Sequence, residues 1–173
     1  MLEVEKDQIY SLPLQRVGDF KFDEQVVRVF PDMIQRSVPG YGSILSMIGE
    51  VAESYVQPNT AVYDLGCSLG ACTMVIRPRV PESCVIHAVD NSKAMTEALE
   101  ARLSELPGGC EVKLTCADIR ETPIKNASLS VLNFTLQFVP KEEREALLGT
   151  IAHGTLPGGA LLLSEMICFE DEA

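Results

Sequence analysis

The run Val62-Tyr63-Asp64-Leu65-Gly66-Cys67-Ser68-Leu69-Gly70-Ala71 constrains the fold of this chain most. Ala61 to Leu65 is a short, mostly apolar stretch with the length of a buried strand. Asp64 stands near its end, where such a strand is expected to meet solvent. Gly66 permits a tight turn or a close backbone approach to a ligand. Ser68 and Gly70 continue a small-residue loop, and Ala71 to Ile76 can start a helix. Strand, glycine turn and helix start, in that order, bring backbone N–H groups up to a ligand.

The pattern D-x-G-x-x-x-G is not the dinucleotide fingerprint G-x-G-x-x-G, because Ser68 stands where the second glycine would be. That argues against a nicotinamide-binding domain. The pattern resembles the first motif of class I S-adenosylmethionine (SAM) enzymes, in which an acid precedes the glycine loop. A strand-to-helix turn in another α/β fold is the competing reading of this motif alone.

A chain of 173 residues, 46% hydrophobic, is long and apolar enough for one domain with a sizeable core. Its formal charge of −11 argues against tight, non-specific nucleic-acid binding and favours a small-molecule substrate. No apolar run has the length of a membrane span. The acidic start, Met1 to Asp7, lacks the basic and apolar regions of a signal peptide, so a cytoplasmic location without membrane contact is expected. The cysteines are Cys67, Cys72, Cys84, Cys110, Cys116 and Cys168; none forms Cys-x-x-Cys, and His87 and His153 are far apart. No metal site is expected, and the thiols read as free and buried.

Residues 1 to about 20 show no period and read as an extended lead-in. Phe22 to Phe30 reads as a helix with Asp23 as its N-cap, Pro31 as the start of a new turn through Arg36, and Pro39-Gly40 as the stop. A helix is expected from Tyr41, with Ile44, Leu45, Ile48, Val51, Ala52, Tyr55 and Val56 on one face and Pro58-Asn59 at its end. Cys84 to Asp90 is a second strand ending in an acid, twenty residues after Gly70. That is the distance at which a nucleotide-binding unit places its ribose-binding carboxylate. Ser92 can cap the following helix, Lys93 to Leu106, which leaves Asp90 free for a ligand. Glu111 to Cys116 alternates as a third strand, followed by Asp118-Ile119. There an acid can accept from an adenine amino group and the next N–H can donate to a ring nitrogen; a turn-capping aspartate is the alternative. Ser128 to Phe134 is a fourth strand with Asn133 at its carboxyl end, the edge on which parallel sheets bind ligands. A helix follows from Pro140 to about Gly154, then a Leu156-Pro157-Gly158-Gly159 turn and a fifth strand, Ala160 to Glu165. The alternation implies an α/β fold, a mostly parallel sheet with helices on both faces.

With these acid-tipped strands in place the chain resembles class I SAM-dependent methyltransferases, and more closely the carboxy-S-adenosyl-L-methionine (carboxy-SAM) synthases. The resemblance rests on Phe30-Pro31-Asp32-Met33-Ile34-Gln35-Arg36-Ser37-Val38-Pro39-Gly40-Tyr41, on Val62 to Ala71, on Asp90-Asn91-Ser92, on Val131 to Phe138 and on Pro157 to Glu165. It implies the Rossmann-like class I SAM-methyltransferase fold in a single SAM-binding domain, with an N-terminal extension and helices over 1–57 and the core over 58–173. It implies SAM and prephenate as substrates, carboxy-SAM and phenylpyruvate as products, and use of the product by a separate enzyme on wobble uridines of transfer RNA. Direct contact with nucleic acid is not expected, and full-length relatives are understood to pair as homodimers. Carried over by position, Tyr41, Gly66, Cys67, Ser68, Asp90, Asn91, Asp118, Ile119 and Asn133 match SAM-binding positions, and no side chain is assigned as a catalytic base. Tyr41 would cover the methionine part and Asn133 would face the sulfonium.

The chain departs from that family at its C-terminus, where the family continues into further helices and two more strands, including an arginine for the carboxylate of the product. The sheet is therefore expected to lack the usual C-terminal strands, with an exposed edge near the fifth. Arg36 is no clear substitute, since a structural salt bridge explains it equally well. An ordinary methyltransferase and an inactive SAM-binding fragment are the alternatives to a synthase.

Overall fold

The computed structural model describes residues 24–167. Two helices lead in, α1 (Glu24–Ser37) and α2 (Tyr41–Tyr55). The core then alternates: β1 (Ala61–Leu65), α3 (Ala71–Ile76), β2 (Val85–Asp90), α4 (Lys93–Ser104), β3 (Glu111–Cys116), β4 (Ala127–Asn133), α5 (Lys141–Gly154) and β5 (Thr155–Ser164). The five strands form one sheet in the order β3-β2-β1-β4-β5, and every neighbouring pair is parallel. The α/β class and Rossmann-like sheet expected from the sequence are thus present. The order reverses between β1 and β4, which opens a crevice beyond their carboxyl ends.

Burial explains the layering. β1 is buried along its whole length, as a central strand covered on both faces must be. On one face Val62, Ile86, Leu129 and Val131 pack with Ile48 and Ala52 of α2 and Cys72 and Ile76 of α3. Leu99 of α4 extends this layer over Ala88. On the other face Ala61, Tyr63, Leu65, Val89 and Leu132 pack with Leu147 and Ile151 of α5. β3, at one edge, is largely exposed along its length. At the other edge of the described sheet, Leu161 and Leu163 of β5 are exposed on one face.

The structure departs from the sequence pattern in several places. The break expected at Pro31 is absent: α1 runs through it. A proline inside a helix costs about 3 kcal/mol, and here burial of Val26 and Val29 before it and Val38 after it outweighs that loss. The expected cap Asp23 lies outside the described residues, as does Cys168. Tyr55 leaves the apolar face of α2 and is half exposed; Val56, already extended, takes its place against the core. α4 ends at Ser104 rather than Leu106. Leu156-Pro157-Gly158-Gly159 is a bulge inside β5, because Thr155 pairs with Ala127 and Ala160 already pairs with Leu129. Cys67, Cys72, Cys84 and Cys110 are buried and free, whereas Cys116, on the edge strand, is exposed. No described helix is long and apolar enough to cross a membrane.

Candidate functional site

The glycine turn bends over the end of β2. The N–H groups of Gly66 and Cys67 both donate to the Val89 carbonyl, at 2.8 and 3.0 Å. Gly66 has φ 79° and Ser68 φ 48°. A side chain at Gly66 would collide with Thr135 of the loop after β4, so two constraints make glycine necessary there.

Asp64, expected at the solvent boundary, is instead 1% exposed. Its Oδ2 accepts from the Thr73 N–H at 2.9 Å and from Thr73 Oγ1 at 2.6 Å. Thr73 lies in the first turn of α3, so the carboxylate satisfies a helix-start donor from another element. Burial raises the Asp64 pKa to about 6, and the two bonds from Thr73 oppose the rise.

Asp90 occupies the centre of the site. Its Oδ2 accepts from the Ser68 N–H and its Oδ1 from the Ser92 N–H, each at 2.8 Å. Ser92 caps α4 as expected, with Oγ accepting from Met95 N–H at 3.3 Å. The expectation that this leaves Asp90 free is corrected: both oxygens already hold a backbone donor. Each oxygen retains acceptor capacity, and the carboxylate is fixed in orientation. Burial raises its pKa and the two amides oppose that. Asn91 is exposed beside it.

The exit of β3 is tied to the same place by a bond from Ala117 N–H to the Asp90 carbonyl at 3.0 Å. Asp118 caps the 3-10 turn Ile119–Glu121 by accepting from Arg120 N–H at 2.9 Å, the turn-capping alternative of the sequence. The Arg120 guanidinium also grips Asp118, with Nε to Oδ1 at 2.9 Å, and reaches Glu143 of α5. Arg120 holds the Asp118 pKa below the usual carboxylate range. The Ile119 side chain is buried in the α5-side core, so only its backbone is available to a ligand.

The third wall is aromatic and amide. The Tyr41 and Phe134 rings stand 6.5 Å apart, tilted by 40°. Asn133 ends β4, its side chain beside the Cys72 thiol; its Oδ1 is fully buried without a hydrogen-bond partner. Burial pushes the Cys67, Cys72 and Tyr41 pKa values up. Both thiols therefore stay protonated and are poor nucleophiles at neutral pH.

Gly66, Cys67, Ser68, Asp90 and Asn91 thus form one continuous rim, with Asp118 and Ile119 on one side and Asn133 and Tyr41 on the other. Arg36, on α1, is paired with Asp32 at 3.3 Å in an exposed i, i+4 bridge. Sequence reasoning missed Thr135, Arg120 and Glu165. Glu165 carried a readable signal: it follows the fifth strand as Asp90 ends the second.

Comparison with known proteins is in keeping with this geometry. Residues 62–159 match the family model described as "Methyltransferase domain". A carboxy-S-adenosyl-L-methionine synthase of Salmonella paratyphi C is 55% identical over 96% of this chain, which spans 68% of that protein. Among solved structures, a SAM-bound amino pentose methyltransferase of Micromonospora echinaspora aligns with TM-score 0.62 at 18% identity, covering 88% of this chain and 60% of that one. A cyclopropane synthase of Mycobacterium tuberculosis aligns with TM-score 0.60 at 15% identity, covering 69% of this chain and 41% of that one. At these identities the two structures show the shared fold.

Proposed function

This chain belongs to the carboxy-S-adenosyl-L-methionine synthase family, and from that premise we propose that it converts SAM and prephenate to carboxy-SAM and phenylpyruvate. The observation that carries the reading is the 55% identity to a protein of that name over 96% of the chain. In the same proposal the product serves carboxymethoxy formation on wobble uridines of transfer RNA, the chain works in the cytoplasm as one SAM-binding domain, and it pairs as a homodimer.

The residues present fit the nucleoside. Asp90 offers two fixed oxygens, each with spare acceptor capacity, to the ribose hydroxyls. Gly66 to Ser68 approach through the backbone, and Asn91 completes the rim. Asp118, whose two oxygens already accept from the Arg120 amide and guanidinium, accepts from the adenine amino group through its remaining lone pair, and the Ile119 N–H donates to a ring nitrogen. The orphaned Asn133 Oδ1, buried at the carboxyl end of β4, is the group assigned to the sulfonium end. SAM, when bound, supplies a methyl group activated by the adjoining sulfonium.

In this reading prephenate loses carbon dioxide and its ring hydroxyl, and the hydroxide leaves as water with one proton of the SAM methyl group. The methyl carbon forms its new bond to that carbon dioxide, which gives the carboxymethyl sulfonium of carboxy-SAM and leaves phenylpyruvate. The balance therefore consumes no protein base, which agrees with a site whose thiols are protonated. The residues act by enclosure, holding the partners close and excluding water. The test is turnover of the chain with both substrates, read by phenylpyruvate absorbance and by mass of the nucleoside. Formation of phenylpyruvate and carboxy-SAM in equal amounts is expected. SAM binding with no phenylpyruvate, at any prephenate concentration, would overturn the assignment.

A further inference from the structure

We infer that Glu165 and Arg144 form a two-ended charge brace that holds the loop after β4 and so positions the reactive end of the nucleotide pocket. The inference rests on the SAM reading of the site and names two residues outside it.

The loop Phe134–Val139 is where the pocket wall meets the glycine turn. The Thr135 side chain fills the space that a Cβ at Gly66 would need, and the Phe134 ring stands 6.5 Å from that of Tyr41. Phe134 is non-glycine yet has φ 57°, a conformation that costs about 1 kcal/mol or more and persists only when its surroundings enforce it. The turn itself, Leu136–Phe138, is too short to hold its own shape.

The enforcement comes from two opposite charges. Glu165 Oε1 accepts from the Leu136 N–H at 2.7 Å, and the amides of Thr135 and Gln137 face the same carboxylate. Next to it Phe134 N–H donates to the Ser164 carbonyl at 2.8 Å. At the other end Arg144 of α5 donates from Nε to the Val139 carbonyl at 2.9 Å and from Nη2 to the Gln137 carbonyl at 3.2 Å. The anion thus meets the N–H end of the turn and the cation its carbonyl end, the favourable sense for a helical dipole. Glu165 Oε2 is buried with no hydrogen bond of its own, so its cost is offset mainly through these loop amides. Both residues act through the loop and are positioning residues.

The test compares Glu165→Gln, Arg144→Ala and Arg144→Lys with the unaltered chain. Calorimetry measures SAM and adenosine, which lacks the methionine end, and hydrogen exchange without ligand follows the Leu136 and Phe138 amides. Glu165→Gln and Arg144→Ala should speed that exchange about tenfold and weaken SAM about five- to tenfold, with adenosine changed less than about twofold. Arg144→Lys, which can reach one carbonyl, should fall between. Equal weakening of both ligands, or unchanged exchange and SAM affinity, would overturn the brace. An unaltered chain that binds neither ligand would overturn the SAM reading instead, while the exchange rates still decide whether the brace exists.

Discussion

Asp64 accepts two bonds from Thr73 in a fully buried position, and this makes its protonation a term in stability. Its folded pKa of about 6 lies above the ordinary 3.8. Between those values the folded chain binds more protons than the unfolded one, so this contribution is full below pH 4 and is lost as pH rises through 6. Asn at this position does not titrate. The stability of the unaltered chain relative to Asp64→Asn should therefore grow by about 1 kcal/mol between pH 7 and pH 5 in urea unfolding. A difference that shrinks on acidification would contradict the assignment. The sequence could place Asp90 by its spacing from Gly70, because loop and strand lengths are local. It could not show that Asp64 is sealed by α3, because the sealing residue, Thr73, belongs to another element.

The turn between β1 and α3 concentrates the demands made on single elements. Gly66→Ala must bear both a left-handed backbone and a collision with Thr135. It should lose about 2–4 kcal/mol in chemical denaturation. A loss below about 0.5 kcal/mol would mean that the turn relaxes and that Thr135 yields to the added methyl group. The elements with strong periodicity were legible from residues alone: α2 from its apolar spacing, β3 from alternation, and α4 from Ser92. Pro31 and Leu156 to Gly159 were not, since docking on the core carries a helix past the proline and a ladder past the bulge. The 3-10 turn after β4 was hidden for a related reason: its holders, Arg144 and Glu165, arrive only after it in the chain.

At the scale of the molecule, strand order decides where chemistry can occur. Placing β1 between β2 and β4 brings the glycine turn, Asp90 and Asn133 to one edge of the sheet. The formal charge of −11 suits a small-molecule site better than an RNA surface. The acid-tipped strands made this arrangement legible. The pairing of Arg120 with both Asp118 and Glu143 was not, because Glu143 comes from α5, across the fold. The most direct measurement is mass spectrometry of nucleosides released from the purified, unheated chain, before and after addition of SAM and prephenate. Carboxy-SAM bound in stoichiometric amount is the expected result. Recovery of SAM alone under both conditions, or of no adenosyl compound from folded protein, would contradict it.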